Sequence, residues 1–298
     1  GIERFIAQRL RPSSAPRLQL HDFAHVADLS RLRRYLRAAV SGRQVGVNIL
    51  IHGIPGTGKT ELVRALAADL GLSLYEVPVE DSDGDAINDA RRFNALSLAQ
   101  RLLADLPGVA LLFDEVEDVF GGGDGLFGRM FGGDRRRPVK GWVNEQLERN
   151  PVPTFWLSNR IDGIDAAHLR RFDDVIELRT PPIRVRRDIV ARRLGQELVS
   201  ADCAERIAAL PEVAPAQIER IARVVTCLHD ASIAERDAAA QRVLENGLRA
   251  MGVLQRLPVP VLPAHYDPAV LNIGIDIEGL IYDLRGHGDA RLCLYGPA

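Results

Sequence analysis

The stretch Gly53-Ile54-Pro55-Gly56-Thr57-Gly58-Lys59-Thr60 follows the apolar run Val47–Ile51, and helical spacing begins at Glu61. The order reads as a strand, a glycine-rich turn and a helix. In such a turn the backbone N–H groups point inward, and the helix start adds its own unpaired donors, so the loop is a ready anion site. Lys59 is expected to reach the β and γ phosphates of a nucleotide, and the Thr60 hydroxyl to take a place on Mg²⁺. Gly53, Gly56 and Gly58 permit backbone angles and close approaches that a Cβ blocks. The candidate nucleotide-binding set is Gly53, Ile54, Pro55, Gly56, Thr57, Gly58, Lys59, Thr60 and Glu61, with ATP and Mg²⁺ as the expected ligands.

A phosphate loop needs an acidic site to hold the metal and prepare water, and Ala110-Leu111-Leu112-Phe113-Asp114-Glu115 supplies one. The apolar run reads as a buried strand that delivers two carboxylates at its end. Asp114 is the candidate metal ligand beside Thr60. Glu115 is the candidate general base for the attacking water. Further short apolar runs at Leu72–Val79, Thr154–Ser158 and Val175–Leu178 alternate with helical spacing at Asp28–Val40, Ala86–Leu106 and Val139–Arg149. The expected fold class is α/β: a P-loop NTPase parallel sheet flanked by helices, followed by a small all-α domain.

The bulk composition sets bounds on the rest. With 298 residues, 46% of them hydrophobic, the chain is long enough for a sizeable core and about two domains. A net charge of -2 supplies no global attraction for nucleic acid or an acidic membrane surface. Cys203, Cys227 and Cys293 form no paired motif, so a disulfide or zinc framework is not expected and a cytoplasmic, reducing setting is. No apolar stretch approaches the ~20 residues that cross a bilayer, and no membrane partner is expected.

Residues 1–21, rich in proline, serine and arginine, read as an N-terminal lead-in, and 22–181 as the α/β nucleotide-binding domain. Beyond Pro181-Pro182, helical spacing over Arg184–Val199, Ala201–Leu210, Pro215–His229 and Ile233–Met251 marks 182–255 as a helical domain. In 256–298 an internal repeat is visible. Asp28-Leu29, Leu32 and Leu36-Arg37 recur as Asp276-Ile277, Leu280 and Leu284-Arg285, and Ile49 to Gly53 recurs as Leu292-Cys293-Leu294-Tyr295-Gly296. The tail is expected to be a linker and the truncated start of a second nucleotide-binding module.

Taken together, these motifs resemble the AAA+ ATPases, in the AAA branch with a second region of homology, and with the repeat in its tail the chain resembles the first module of a bacterial tandem AAA protein. The resemblance covers roughly Asp22 to Met251. Within it Trp156-Leu157-Ser158-Asn159-Arg160 looks like the sensor 1 strand, which implies that Asn159 contacts the γ phosphate and the water. Asp165 to Asp173 is similar to the segment with arginine fingers, which implies that Arg171, and with it Arg170, reach the nucleotide of a neighbouring subunit. Catalytic candidates are therefore Glu115, Asn159, Arg170 and Arg171. The helices after Pro182 look like the family's lid.

Two departures bear on function. Where relatives carry a sensor 2 arginine the sequence reads Pro215-Ala216-Gln217-Ile218-Glu219-Arg220, so Arg220 either takes that role or is an exposed helical arginine. The first pore loop of unfoldases carries an aromatic residue, whereas Glu80-Asp81-Ser82-Asp83-Gly84-Asp85 is acidic. Phe127-Gly128 and Phe131-Gly132 are either a second pore loop or a glycine loop with locally packed phenylalanines, and Arg135-Arg136-Arg137 reads as solvated charge. The resemblance implies an ATP hydrolase working as a homo-oligomeric ring that remodels a protein partner. The alternative is a nucleotide-dependent assembly scaffold with little or no hydrolysis in this module. A small-molecule kinase suits the loop but leaves Asn159 and the arginines unexplained.

Overall fold

The computed structural model describes residues 10–78, 89–116, 136–162 and 164–252, with residues 89, 90 and 136–142 described by their backbone alone. All described residues fall within the compact unit Gly1–Val253. Six strands form one sheet: β1 (Arg11–Pro12), β2 (Asn48–His52), β3 (Ser73–Glu76), β4 (Val109–Phe113), β5 (Thr154–Ser158) and β6 (Asp174–Glu177), in the order β1-β3-β4-β5-β2-β6. Every pairing is parallel except that of β1 with β3. Helices α1 (Leu29–Ser41), α2 (Lys59–Asp69), α3 (Asp89–Leu103), α4 (Arg136–Arg149) and the single turn α5 (Ala166–Leu169) connect them.

Continuous apolar runs form the central strands because both faces of the sheet are covered. In β2, Ile49 and Ile51 face a core shared with Leu32 and Leu36 of α1 and Leu62 and Leu66 of α2. Leu50 faces the opposite core, with Phe93, Phe113, Leu147 and Trp156. The period of two along a strand thus assigns alternate residues to two helix layers. At the base of the sheet a buried polar knot sets the register: the Asn48 amide donates to the Leu147 carbonyl at 2.6 Å, and the Trp156 indole N–H donates to Asn48 Oδ1 at 3.0 Å.

After Pro181-Pro182 the chain is helical, as α6 (Ile183–Leu198), α7 (Ala201–Ala209), α8 (Pro215–Thr226) and α9 (Ile233–Ala250). These pack around their own core, including Leu194, Ile207, Ile221 and Leu244. Their starts follow the capping rules: Ser200 accepts from the Cys203 N–H and Ser232 from the Glu235 N–H. The observed fold is the expected α/β sheet with a helical part after it. Among the described residues no helix is long and apolar enough to cross a membrane.

The lead-in reading of 1–21 needs correction over its described part. Leu10 is buried in the sheet core, Arg11–Pro12 pairs with β3, and Leu18 and Leu20 pack against the α1 side. A two-residue edge strand ending in proline has no apolar run to announce it, and an edge is where proline is tolerated. The repeat in 256–298 lies outside the described residues.

Candidate functional site

Strands β4, β5 and β2 are neighbours and parallel, so the segments leaving their carboxyl ends meet along one edge of the sheet. That edge is where open α/β sheets bind ligands. β2 delivers the glycine loop, β4 delivers Asp114 and Glu115, and β5 delivers Asn159. Gly53 has φ 147°, and a Cβ there would meet the Leu178 carbonyl oxygen at 2.2 Å, because the chain leaving β6 runs against the loop. The loop closes on itself through the Thr57 hydroxyl, which donates to the Ile54 carbonyl at 3.0 Å.

Lys59 is almost wholly buried. Its ammonium donates to the Gly53 carbonyl at 2.7 Å, the Ile54 carbonyl at 3.3 Å and Asn159 Oδ1 at 3.0 Å. Two residues a hundred positions apart, expected from separate motifs to address the same phosphate, are thus in direct contact. Thr60 Oγ1 stands 3.5 Å from Asp114 Oδ2, and Asp114 Oδ1 accepts the Glu115 N–H at 2.8 Å. Glu115 is exposed and takes a left-handed backbone, φ 55°. Glu61, in the first turn of α2, is held by protein partners: its carboxylate accepts from the Arg17 N–H and from Arg64, both at 2.8 Å.

These groups line a cavity of about 720 Å³, within the range of small-molecule sites. Its polar end is the loop with Lys59, Asp114, Glu115 and Asn159; its apolar end is made by Phe23 together with Val185 and Ile189 of α6. His25 lines it too, and burial pushes its pKa down, so the imidazole is neutral at pH 7. A larger groove of about 1030 Å³ around Leu18, Arg33 and Asp69 contains none of the loop, acid or sensor groups.

The helical part closes one side of the cavity. The Ala216 N–H donates to the Gly56 carbonyl at 3.1 Å, and a Cβ at Gly56, which has φ 83°, would lie 2.8 Å from Ala216 Cβ. Arg192 pairs with Asp22 at 2.9 Å, joining α6 to the turn Leu20–Phe23. Burial opposes ionisation of Asp22, but the Gln19 N–H and the Arg192 guanidinium together hold its carboxyl below the usual range.

Arg220 is exposed and does not line the cavity; the arginines of α6 that do are Arg192 and Arg193, the latter paired with Glu219 at 3.0 Å. The signal for them was present in the sequence. Val185, Ile189, Arg192 and Arg193 stand at i, i+4, i+7 and i+8 of one helix, a single face. Arg170 is exposed, and neither it nor Arg171 lines the cavity of its own chain. The Arg171 guanidinium donates to Glu148 at 2.7 Å and to the Ala167 carbonyl. Residues 80–85, 127–132 and Arg135 lie outside the described residues, as do the side chains of Arg136 and Arg137.

The donor set fits the expected ligands. Mg²⁺ prefers hard oxygen ligands and keeps several waters and phosphate oxygens, so one hydroxyl and one carboxylate at the mouth of the loop suffice. A buried ammonium among loop carbonyls supplies the positive charge a polyphosphate needs.

Residues 49–180 match the family model described as "ATPase family associated with various cellular activities (AAA)". The chain carries an AAA domain. It is similar to ATPase family gene 2 protein homolog B of Bos taurus, 32% identical over 191 residues, which covers 59% of this chain and 24% of that protein. It is also similar to the ATP-dependent zinc metalloprotease FtsH of Mycoplasmoides gallisepticum, 24% identical over 276 residues, 85% of this chain and 35% of that one. The chain carrying the AAA domain thus spans about a quarter to a third of the length of these relatives. Its fold resembles that of C. elegans PCH-2, with TM-score 0.50 and 15% identity over 74% of this chain and 69% of that one. A chain of the E. coli MS115-1 HORMA:CdnC:Trip13 complex gives TM-score 0.55 and 15% identity over 80% and 96%. At such identity the likeness is one of fold.

Proposed function

We propose that this AAA module binds ATP with Mg²⁺ and hydrolyses it to ADP and phosphate, and that it works in an oligomeric ring whose nucleotide cycle remodels a protein partner. The observation that carries the reading is the meeting of Lys59 with Asn159, and of Thr60 with Asp114, at one cavity whose rim also bears Glu115. In this scheme the loop N–H groups and Lys59 bind the phosphates, and Thr60 with Asp114 would hold the metal. When bound, Mg²⁺ neutralises charge on the β and γ phosphate oxygens. Asn159 and Glu115 orient the attacking water, and Glu115 takes its proton as the oxygen bonds to the γ phosphorus and the bond to ADP breaks. Arg171 serves the neighbouring copy, and residues 182–255 act as the lid over the base. Residues 256–298 are read as the start of a second module.

A Glu115→Gln variant tests the reading. It is expected to keep its affinity for ATP and lose at least about a hundredfold in turnover, the scale of general-base catalysis. Turnover equal to that of the unaltered protein overturns the assignment of Glu115. The second reading is a scaffold that binds ATP without hydrolysing it. It is favoured by the engagement of Arg171 with Glu148 inside its own chain, and tight ATP binding without phosphate release by the unaltered, assembled protein would decide for it.

A further inference from the structure

Beneath the acid pair lies a charged group that the hydrolytic scheme leaves unused. Arg92, on α3, is 4% exposed and lies on no wall of the nucleotide cavity. Its guanidinium carbon stands 4.8 Å over the ring centroid of Phe113, the residue before Asp114. Phe113 is itself wedged between Phe93 and Trp156, with ring centroids at 6.2 and 5.3 Å. From this anchored position a terminal N–H donates to the main-chain carbonyl of Asp114. Its Nε has no partner among the described residues. A desolvated cation with so few partners is an expensive way to fill a core, and an apolar side chain of the same length fills the space at less cost.

The Asp114 carbonyl and the Glu115 N–H belong to one rigid peptide plane. Turning that plane turns Glu115, whose φ of 55° is a conformation a residue with a Cβ adopts only under constraint. Among the described residues, two contacts constrain it. Arg92 holds the plane's oxygen, and Asp114 Oδ1 accepts from its N–H at 2.8 Å. We propose that Arg92 is a positioning residue for hydrolysis: by holding the Asp114 carbonyl it keeps Glu115 in the left-handed conformation that points its carboxylate at the attacking water. The proposal rests on the reading of Glu115 as the general base.

The test compares Arg92→Met, which keeps length and loses the donor, with Arg92→Lys, which keeps a donor without the planar stack. Steady-state ATP hydrolysis, binding of a fluorescent ADP analogue and crystal structures are measured for each in the full-length protein. R92M is expected to lose at least about tenfold in kcat, in line with the cost of a misplaced catalytic group. KM and ADP affinity stay within about threefold, the mark of an interaction made only in the transition state. R92K falls between the two. In the Glu115→Gln background R92M causes no further loss, because both changes act through one group. In the R92M crystal structure Glu115 leaves the positive φ region.

An unchanged kcat, a loss that adds to that of Glu115→Gln, or a Glu115 that keeps its φ and direction in R92M each overturns the proposal. Should R92M not fold, a lowered kcat at constant KM in R92K supports it and an unaltered kcat there sinks it. If the unaltered protein turns over no ATP, the reading of the module as an ATPase fails, while the Glu115 backbone angle in R92M still decides the clamp.

Discussion

His25 and His52 both have their pKa lowered from the ordinary value of 6.5, in each case chiefly by burial. Neighbouring Glu177 pulls the other way at His52 without reversing the shift. A folded chain that keeps these imidazoles neutral binds fewer protons than the unfolded chain. Stability is therefore complete above about pH 6.5 and is lost as the pH falls through the lower folded values. Urea midpoints are expected to drop between about pH 7.5 and about pH 5.5, and replacing both residues with glutamine to flatten that slope. A slope that survives the double replacement assigns the effect to other groups. Residues of this scale were legible only where chemistry ties a residue type to a spacing. The loop glycines, Lys59, Thr60 and the acid pair are such cases, since a methyl at Gly53 collides with the Leu178 carbonyl and a phosphate-loop pattern ties a lysine to a fixed spacing from its glycines. Arg92 is not, because an arginine on a helix reads the same whether it is buried on a ring or in water.

Among the elements of the helical part, α6 walls the cavity, and its anchor is Arg186. This side chain is 5% exposed and donates to the Pro181 carbonyl at 2.6 Å and the Ala208 carbonyl at 2.8 Å, binding the entry of α6 to the carboxyl end of α7. The last carbonyls of a helix lack partners of their own and carry partial negative charge, so a buried guanidinium there satisfies both needs. Arg186→Met removes the donors and leaves buried carbonyls unpaired. A loss of about 2–3 kcal/mol is expected in urea unfolding, with weaker nucleotide binding because Val185 and Ile189 on the same helix wall the cavity. Wild-type stability in the methionine variant would show the anchor to be dispensable. The central strands and long helices were legible because uninterrupted apolar runs and helical spacing have one packing solution in a covered sheet. β1 and α5 were not. Two residues at an edge and a single helical turn carry no period to read, and their places are set by β3 and by the Asp165 carboxylate, which accepts the Ala167 N–H at 2.8 Å.

For the whole molecule the question is where Arg171 acts. It lies away from the cavity of its own chain, in an ion pair with Glu148 whose side chain is 57% exposed. Glu148 is the exposed half of the pair, whereas the Arg171 side chain is 19% exposed and also donates to the Ala167 carbonyl, so exchanging Glu148 for a phosphate presented by a second copy gives up an ion pair on the order of 1 kcal/mol while the second bond stays in place. The segment is otherwise fixed, because Asp173 accepts the Asn48 N–H at 2.7 Å and thereby ties the arginines to the first residue of β2. A fixed segment with one releasable guanidinium suits delivery across a subunit boundary. If it acts there, Arg171→Ala lowers kcat by about a thousandfold or more in assembled protein, the range for an arginine supplied in trans. The specific activity of the unaltered protein then rises with its concentration. Mixing Arg171→Ala with Glu115→Gln restores part of the rate, since each variant supplies what the other lacks at a shared boundary. A specific activity flat across concentration, with no recovery on mixing, would confine Arg171 to its bond with Glu148 and leave the module to work as a single copy.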